Sequence, residues 1–161
     1  MKTTKIKKVL IALDYDPSAQ KVASTGFSMA SSMNAEVTLL HIISDPVYYS
    51  STAYSPIMGL SSEMVINPMQ LDNIEGLKEV SRHFLEKFKH QLGDENIKIL
   101  VEEGDFASTI LKTAKSIHAD IIVIGSHSRK WLENIVMGSV TGDVLRQTTI
   151  PLFIVPTKKH E

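Results

Sequence analysis

The residues best suited to chemistry in this sequence follow an apolar run near its carboxyl-terminal end. Ile121–Ile124 are unbroken β-branched residues, typical of a parallel strand buried on both faces, and Gly125 ends the run. A polar loop follows, and Gly138 and Ser139 then open a helical pattern. The start of a helix presents unpaired main-chain N–H groups and the positive end of the helix dipole, so this order of elements suits a bound phosphate.

A carboxylate at the end of the first apolar run is a second candidate. Asp14 follows Val9–Leu13, and it can accept a hydrogen bond from the amino group of an adenine or can brace the following turn. With Asp16 it also forms the Asp-x-Asp pair with which haloacid-dehalogenase-type phosphatases present a nucleophile and an acid/base group. Those enzymes need a later lysine and an acidic pair for magnesium, whereas Ser126–Ser128 follow the fourth strand here, so the phosphatase is the weaker alternative.

Hydrophobic periodicity predicts five strands that alternate with four helices. Asp16 is the expected cap of the first helix and Pro17 its first residue, Gly93 ends the second helix, and Asp105 begins the third. The predicted strands span residues 6–13, 36–43, 98–102, 121–124 and 150–155, and the helices begin near 17, 71, 105 and 139. This alternation predicts a single three-layer α/β/α domain over residues 1–161, with a parallel sheet whose ligand lies beyond the carboxyl ends of the strands.

Composition excludes several classes of function. The 161 residues include 17 basic and 18 acidic side chains, which argues against nucleic acid as a partner. Cysteine is absent, so no disulfide or thiolate metal site is possible, and the six histidines show no zinc spacing. The sequence also bears on location. The apolar run at residues 9–13 is too short for the hydrophobic core of a signal peptide, and no membrane-spanning segment is evident, so we expect a cytoplasmic protein.

One long segment does not fit the alternation of strands and helices. Residues 44–70 carry three tyrosines with several methionines and isoleucines, too much apolar content for a solvated linker. Loops of this length in a compact domain are usually functional or disordered. We expect this segment to fold partly over the ligand or over a partner subunit.

The spacing of the polar loop resembles the nucleotide-binding signature of the universal stress protein family, in which two residues separate the first two glycines and nine residues precede a Gly-Ser or Gly-Thr pair. Here the positions are Gly125, Ser128 and Gly138-Ser139, with serine in place of the second glycine. The motifs VLIALD, LLHI, EEGDFASTIL and PLFIVP fall in the family's order, so the resemblance covers nearly the whole chain except residues 44–70.

The resemblance implies the Rossmann-like strand order 3-2-1-4-5 and a site for ATP. Magnesium can accompany ATP through its phosphates. Adenine is expected near Asp14 and Ile42, and ribose near Gly125. Phosphates are expected on the loop 126–130 and on the main chain of residues 138–140. The expected binding residues are Ala12, Asp14, Ile42, Gly125, His127, Ser128, Arg129, Gly138, Ser139 and Val140.

The resemblance also implies a homodimer that pairs through the last strand, residues 150–155, where Pro151 indicates an edge. The expected role is regulation of a stress response through protein partners that the sequence does not identify. The sequence provides no general base for attack by water, so at most slow ATP hydrolysis is expected. The alternative within the family is a dimeric interaction module that binds no nucleotide, which Ser128 favours because its Cβ obstructs close approach of a phosphate.

Overall fold

The computed structural model describes residues 1–44, 74–126 and 139–157. Within these ranges five strands alternate with four helices. The strands are β1 (Lys8–Ala12), β2 (Glu36–Ile43), β3 (Lys98–Glu103), β4 (Ile121–Gly125) and β5 (Leu152–Val155), and the helices are α1 (Ala19–Ser32), α2 (Ile74–Leu92), α3 (Phe106–Ser116) and α4 (Ser139–Gln147). Apart from Ser44, the long segment 44–70 lies outside the described residues.

The five strands form one parallel sheet in the order β3-β2-β1-β4-β5, as predicted. Helices cover both faces of this sheet, which explains why the inner strands are apolar without alternation. In β2, for example, every residue after Glu36 is buried.

The two faces of the sheet have separate apolar cores. Val9 and Ile11 of β1 point toward α1 and α2, whereas Leu10 between them points toward α3 and α4. On the first face Phe84, Leu85 and Phe88 are the large buried side chains of α2. No helix within the described ranges is both long and apolar enough to cross a bilayer.

The start of α1 differs from the prediction, whereas the start of α3 agrees with it. Asp16 and Pro17 do not begin α1, which starts at Ala19 after Ser18. Asp16 closes a separate turn instead, because its Oδ1 accepts the Ser18 N–H at 2.8 Å and its carbonyl accepts the Ala19 N–H at 2.9 Å. Asp105 caps α3 as predicted, accepting the Ser108 N–H at 3.1 Å.

The two edge strands differ in chemistry. In β5 the prediction that Pro151 lies inside the strand is wrong: the strand starts at Leu152, and the Pro151 carbonyl accepts the Ile122 N–H just before it. β5 carries four apolar residues, whereas β3 at the opposite edge begins with Lys98 and ends in exposed glutamates. Ion pairs join Lys98 to Glu36, and Lys78 to Glu103 at the far end of β3.

Helix α1 approaches the sheet closely at Gly26. A Cβ atom there would lie 2.9 Å from Ile11 Cδ1 and 2.9 Å from Val123 Cγ1. Both neighbours are fully buried, and the β-branched Val123 has little rotameric freedom. At Gly142 in α4, by contrast, the nearest described atom would be a guanidinium nitrogen of the exposed Arg146, at 3.4 Å.

The same substitution should therefore have opposite effects at these two glycines. Gly26→Ala should lower the free energy of unfolding by about 1 kcal/mol, because an overpacking penalty of about 1–3 kcal/mol exceeds the gain in helix propensity. Gly142→Ala should raise it by up to about 1 kcal/mol, because the added methyl group has room. Urea unfolding of both variants measures the difference, and a Gly26→Ala variant as stable as the parent would contradict the close approach.

Candidate functional site

The central strand β1 ends before its two neighbours do. Ala12 is the last residue of β1 and pairs with Leu40, while β2 continues to Ile43. On the other side β4 continues to Gly125. The strand order reverses at this edge, which is where open parallel sheets bind ligands. We call this place the β1 notch and define it by Ala12, Asp14, Ile42 and Gly125.

Asp14 lies directly beyond the end of β1 and is half-buried. Its Oδ1 accepts the Asp16 N–H at 3.3 Å. One of the two roles weighed for this carboxylate, bracing the following turn, is therefore present in the structure. Its neighbours Leu13 and Tyr15 are both buried, 5% and 4% exposed, so the carboxylate sits on a segment that is packed into the core on either side.

Helix α4 is joined to the end of β4 by a partly buried hydrogen bond. The Thr141 hydroxyl donates to the Gly125 carbonyl at 2.7 Å, and Thr141 is 1% exposed. This bond brings the first turn of α4, with the main chain of Ser139 and Val140, to the β1 notch. Thr141 is not among the residues predicted from the sequence, although a threonine in the first turn after a Gly-Ser pair was a usable signal.

Ser126, the first residue of the expected phosphate loop, is bound to the segment that follows β5. Its hydroxyl oxygen accepts the Thr157 N–H at 2.9 Å, and its own N–H donates to the Val155 carbonyl at 2.9 Å. These bonds fix the position at which the chain leaves β4. They also engage the Ser126 hydroxyl with protein groups, so this side chain is held by the fold.

The structure thus brings together most of the predicted residues that it describes. Ala12, Asp14, Ile42 and Gly125 share one edge of the sheet, and α4 begins beside it. The other predicted residues lie outside the described residues, namely His127, Ser128, Arg129 and Gly138, together with the side chain of Ser139. Within the described part of the chain, no three His, Asp or Glu side chains are grouped to hold a metal ion.

A buried cluster of aromatic and polar side chains lies beneath Asp14, on the face covered by α1 and α2. It consists of Tyr15, His41, Ser81 and Phe84. His41 Nδ1 lies 2.8 Å from the Leu13 carbonyl, and the His41 ring lies 4.3 Å from that of Tyr15. The Tyr15 hydroxyl is 2.7 Å from the Ser81 hydroxyl, and Phe84 packs against both rings. His41 is not among the site residues predicted from the sequence; a histidine inside an apolar strand was the available signal.

The tautomer of His41 follows from its partner. A carbonyl oxygen only accepts hydrogen bonds, so Nδ1 carries the proton and Nε2 is the unprotonated nitrogen. Nε2 is buried and has no hydrogen-bond partner among the described residues. Burial lowers the pKa of His41 to about 4, and the bond to Leu13 offsets part of that decrease.

The profile of the universal stress protein family matches residues 5–156. The chain belongs to the universal stress protein family. It is 26% identical over 155 residues to universal stress protein MJ0577 of Methanocaldococcus jannaschii, covering 94% of this chain and 96% of that protein. It is 27% identical over 162 residues to stress response protein NhaX of Bacillus subtilis, covering 92% and 96% respectively.

Solved structures show the same fold for this universal stress protein. The structure of protein MJ0577 superimposes with a TM-score of 0.72 at 24% identity, covering 98% of this chain and 100% of that one. Universal stress protein UspA from Lactobacillus plantarum gives 0.68 at 19% identity, covering 95% and 99%. A universal stress protein in complex with cAMP gives 0.61 at 16% identity, covering 94% and 98%.

The buried His41 predicts acid sensitivity of this universal stress protein. As pH falls below 6.5, the unfolded chain binds a proton that the folded protein takes up only near pH 4, so stability declines through this window. The expected loss from His41 is about 3 kcal/mol between pH 7 and pH 4. Urea unfolding at a series of pH values should show a shallower decline for His41→Phe than for the parent. The exposed His83→Gln variant is the control, and a parental slope in His41→Phe would contradict the assignment.

Proposed function

We propose that this universal stress protein binds an adenine nucleotide, ATP in particular, at the β1 notch and acts as a regulatory protein in a stress response. The main support is the early end of β1 at the point where the strand order reverses. That geometry leaves the half-buried Asp14 between β2 and β4, which both extend further at this edge, with the start of α4 beside them.

Each part of the nucleotide has a chemical counterpart in this arrangement. The Asp14 carboxylate suits the adenine amino group because it only accepts hydrogen bonds, and main-chain groups near Ile42 would complete the base site. Gly125 offers a surface without a side chain to the ribose. The N–H groups at the start of α4, Ser139 and Val140, suit phosphate, with Gly138 and the loop residues His127, Ser128 and Arg129 as further proposed contacts. Magnesium would be held by phosphate oxygens.

The comparisons support a nucleotide as the class of ligand. A universal stress protein of the same fold was solved with cAMP, an adenine nucleotide. We propose that the present chain also binds an adenine nucleotide. We further propose that it lies in the cytoplasm and that its protein partners respond to whether nucleotide is bound. The phosphatase alternative is not proposed, because the family match accounts for the chain from residue 5 to 156. We propose no enzymatic activity beyond slow hydrolysis of ATP.

Removing the Asp14 carboxylate should weaken ATP binding. Asp14→Ala removes a charge-assisted hydrogen bond to the base, which corresponds to a tenfold to hundredfold rise in Kd, or about 1.5–3 kcal/mol. Asp16→Ala is the matched control, since it deletes a carboxylate that also accepts a main-chain N–H in the same turn but lies outside the notch. Calorimetric titration of nucleotide-free protein with ATP, with and without magnesium, measures both.

Two further measurements and two contrary outcomes complete this test. Acid extraction of the purified protein should release an adenine nucleotide, and Gly138→Asp should abolish ATP binding by placing a carboxylate next to the phosphates. Equal ATP affinities for Asp14→Ala and Asp16→Ala would remove Asp14 from the site. Absence of ATP binding by the parent protein would favour the family alternative, a dimeric interaction module without nucleotide.

We propose a homodimer whether or not the protein binds a nucleotide, because β5 is an apolar edge. The Pro151 and Val155 carbonyls accept hydrogen bonds from the β4 side. In a parallel ladder one residue directs both its N–H and its C=O to the same side, so Leu152 and Ile154 direct theirs toward the open edge. An apolar edge with main-chain groups facing outward is suited to pairing with a second copy.

Ile154→Pro should convert the dimer into a folded monomer. Proline removes the outward N–H of residue 154 but leaves the ladder to β4 intact, and edge strands tolerate it. Ile154→Ala is the matched control, because it truncates the side chain and keeps the N–H. Light-scattering mass measurements at micromolar concentration report the assembly state, and far-UV circular dichroism reports the fold. A dimeric Ile154→Pro variant, or a monomeric parent, would argue against pairing through β5.

A further inference from the structure

We infer that His41 is a positioning residue for base recognition: it holds both chain neighbours of Asp14, and through them it sets the direction in which the Asp14 carboxylate meets the adenine amino group. The inference rests on the proposed nucleotide site and concerns its specificity. It comes from the packing under the β1 notch, where one side chain contacts the residue before Asp14 and the residue after it.

The contact before Asp14 is a hydrogen bond. His41 Nδ1 donates to the Leu13 carbonyl at 2.8 Å, and the Leu13 N–H donates to the Leu40 carbonyl at 2.8 Å. Leu13 thus lies past the last residue of β1 and is still fixed to β2 by its N–H and its carbonyl. A buried bond of this kind restricts the peptide plane that leads directly into Asp14.

The contact after Asp14 is a ring contact. The Tyr15 and His41 rings are 4.3 Å apart at an interplanar angle of 47°, and Phe84 packs edge-on against both. The Tyr15 hydroxyl is bonded to the Ser81 hydroxyl, so the far end of this ring is fixed to α2. Asp14 is therefore the residue between two positions that one imidazole restrains, although His41 itself is 2% exposed and lies below the notch.

This arrangement predicts a loss of selectivity when His41 is changed. A carboxylate distinguishes ATP from inosine triphosphate because the latter has a carbonyl oxygen in place of the adenine amino group and offers no donor there. We expect the parent to prefer ATP by about tenfold or more. A residue that only stabilised the fold would leave this ratio unchanged in the folded variant.

The test compares ATP and inosine triphosphate affinities in three variants, at a temperature at which each is fully folded. His41→Phe keeps a ring and removes the Nδ1 donor, and it should reduce the preference for ATP about tenfold. His41→Asn has an amide nitrogen near the position of Nδ1 and should recover part of the preference. Ser81→Ala is the control: it removes the bond between the Tyr15 hydroxyl and α2 but leaves both contacts of the imidazole, with the Leu13 carbonyl and with the Tyr15 ring, so it should retain the parental preference.

The outcomes separate the inference from the proposed function. A parent that binds neither nucleotide would overturn both. If the parent prefers ATP and a folded His41→Phe variant has a preference within about twofold of the parental value, the positioning role is overturned and the proposed site stands. If His41→Phe does not fold, His41→Asn decides: a preference between the parental value and none supports the role, and an unchanged preference overturns it.

A spectroscopic measurement tests the same contact without any nucleotide. Nitrogen-15 NMR of the imidazole should show a neutral ring protonated at Nδ1, which is the minor tautomer of free histidine. Exchange of the Asp14 and Tyr15 amides should be faster in His41→Phe than in Ser81→Ala. An imidazole protonated at Nε2 alone would show that Nδ1 does not donate to Leu13, and would overturn the inference.

Discussion

The hydrogen-bonded pairing of β1 with strands on both sides is the constraint on which the rest of this structure depends. β1 lies between β2 and β4, and its residues Val9, Leu10 and Ile11 are completely buried. Both apolar cores touch this strand, one on each face. Because β1 joins the two halves of the sheet, the point at which it ends determines the shape of the sheet's carboxyl edge, and its early end relative to β2 and β4 produces the notch.

The side chains buried beneath the β1 notch are not all apolar. His41, Tyr15 and Ser81 place hydrogen-bonding groups in the core under Asp14, where a purely aliphatic packing would have served stability as well. Thr141 and Ser126 play a similar part on the other side of the notch, since each bonds main-chain groups at the ends of β4 and β5. Buried and partly buried polar contacts thus lie on both sides of the notch, and they restrict the segments that lead into it.

Much of the fold could be predicted from the sequence because the signals were local. Apolar runs marked the strands, the spacing of Phe84 and Phe88 marked α2, and Asp105 marked the start of α3. Errors arose where two local rules competed. Asp16-Pro17 satisfies the rules for a helix start, yet Asp16 closes a turn first. The strand order came from the family resemblance, because periodicity carries no information about which strands are neighbours.

The positions of the candidate site residues along the sheet edge could be predicted, whereas the contacts that support them could not. Asp14, Ile42 and Gly125 could be placed at one edge because the ends of parallel strands coincide there. The roles of His41 and Thr141 depend on side chains meeting main-chain groups distant in sequence, 28 and 16 residues away. No local pattern encodes such contacts, and a single buried histidine or threonine in a sequence is compatible with many roles.

The unequal edges of the sheet have a consequence for how copies of this protein can associate. β5 is apolar, whereas β3 has Lys98 at its start and Glu103 at its end, both in ion pairs. Joining β5 of one copy to β3 of the next would be a head-to-tail contact that repeats without limit. Charged side chains along β3 disfavour that arrangement. The proposed association through β5 alone would be two-fold and closed, so the chemistry of β3 would limit growth of the sheet to a single pair of molecules.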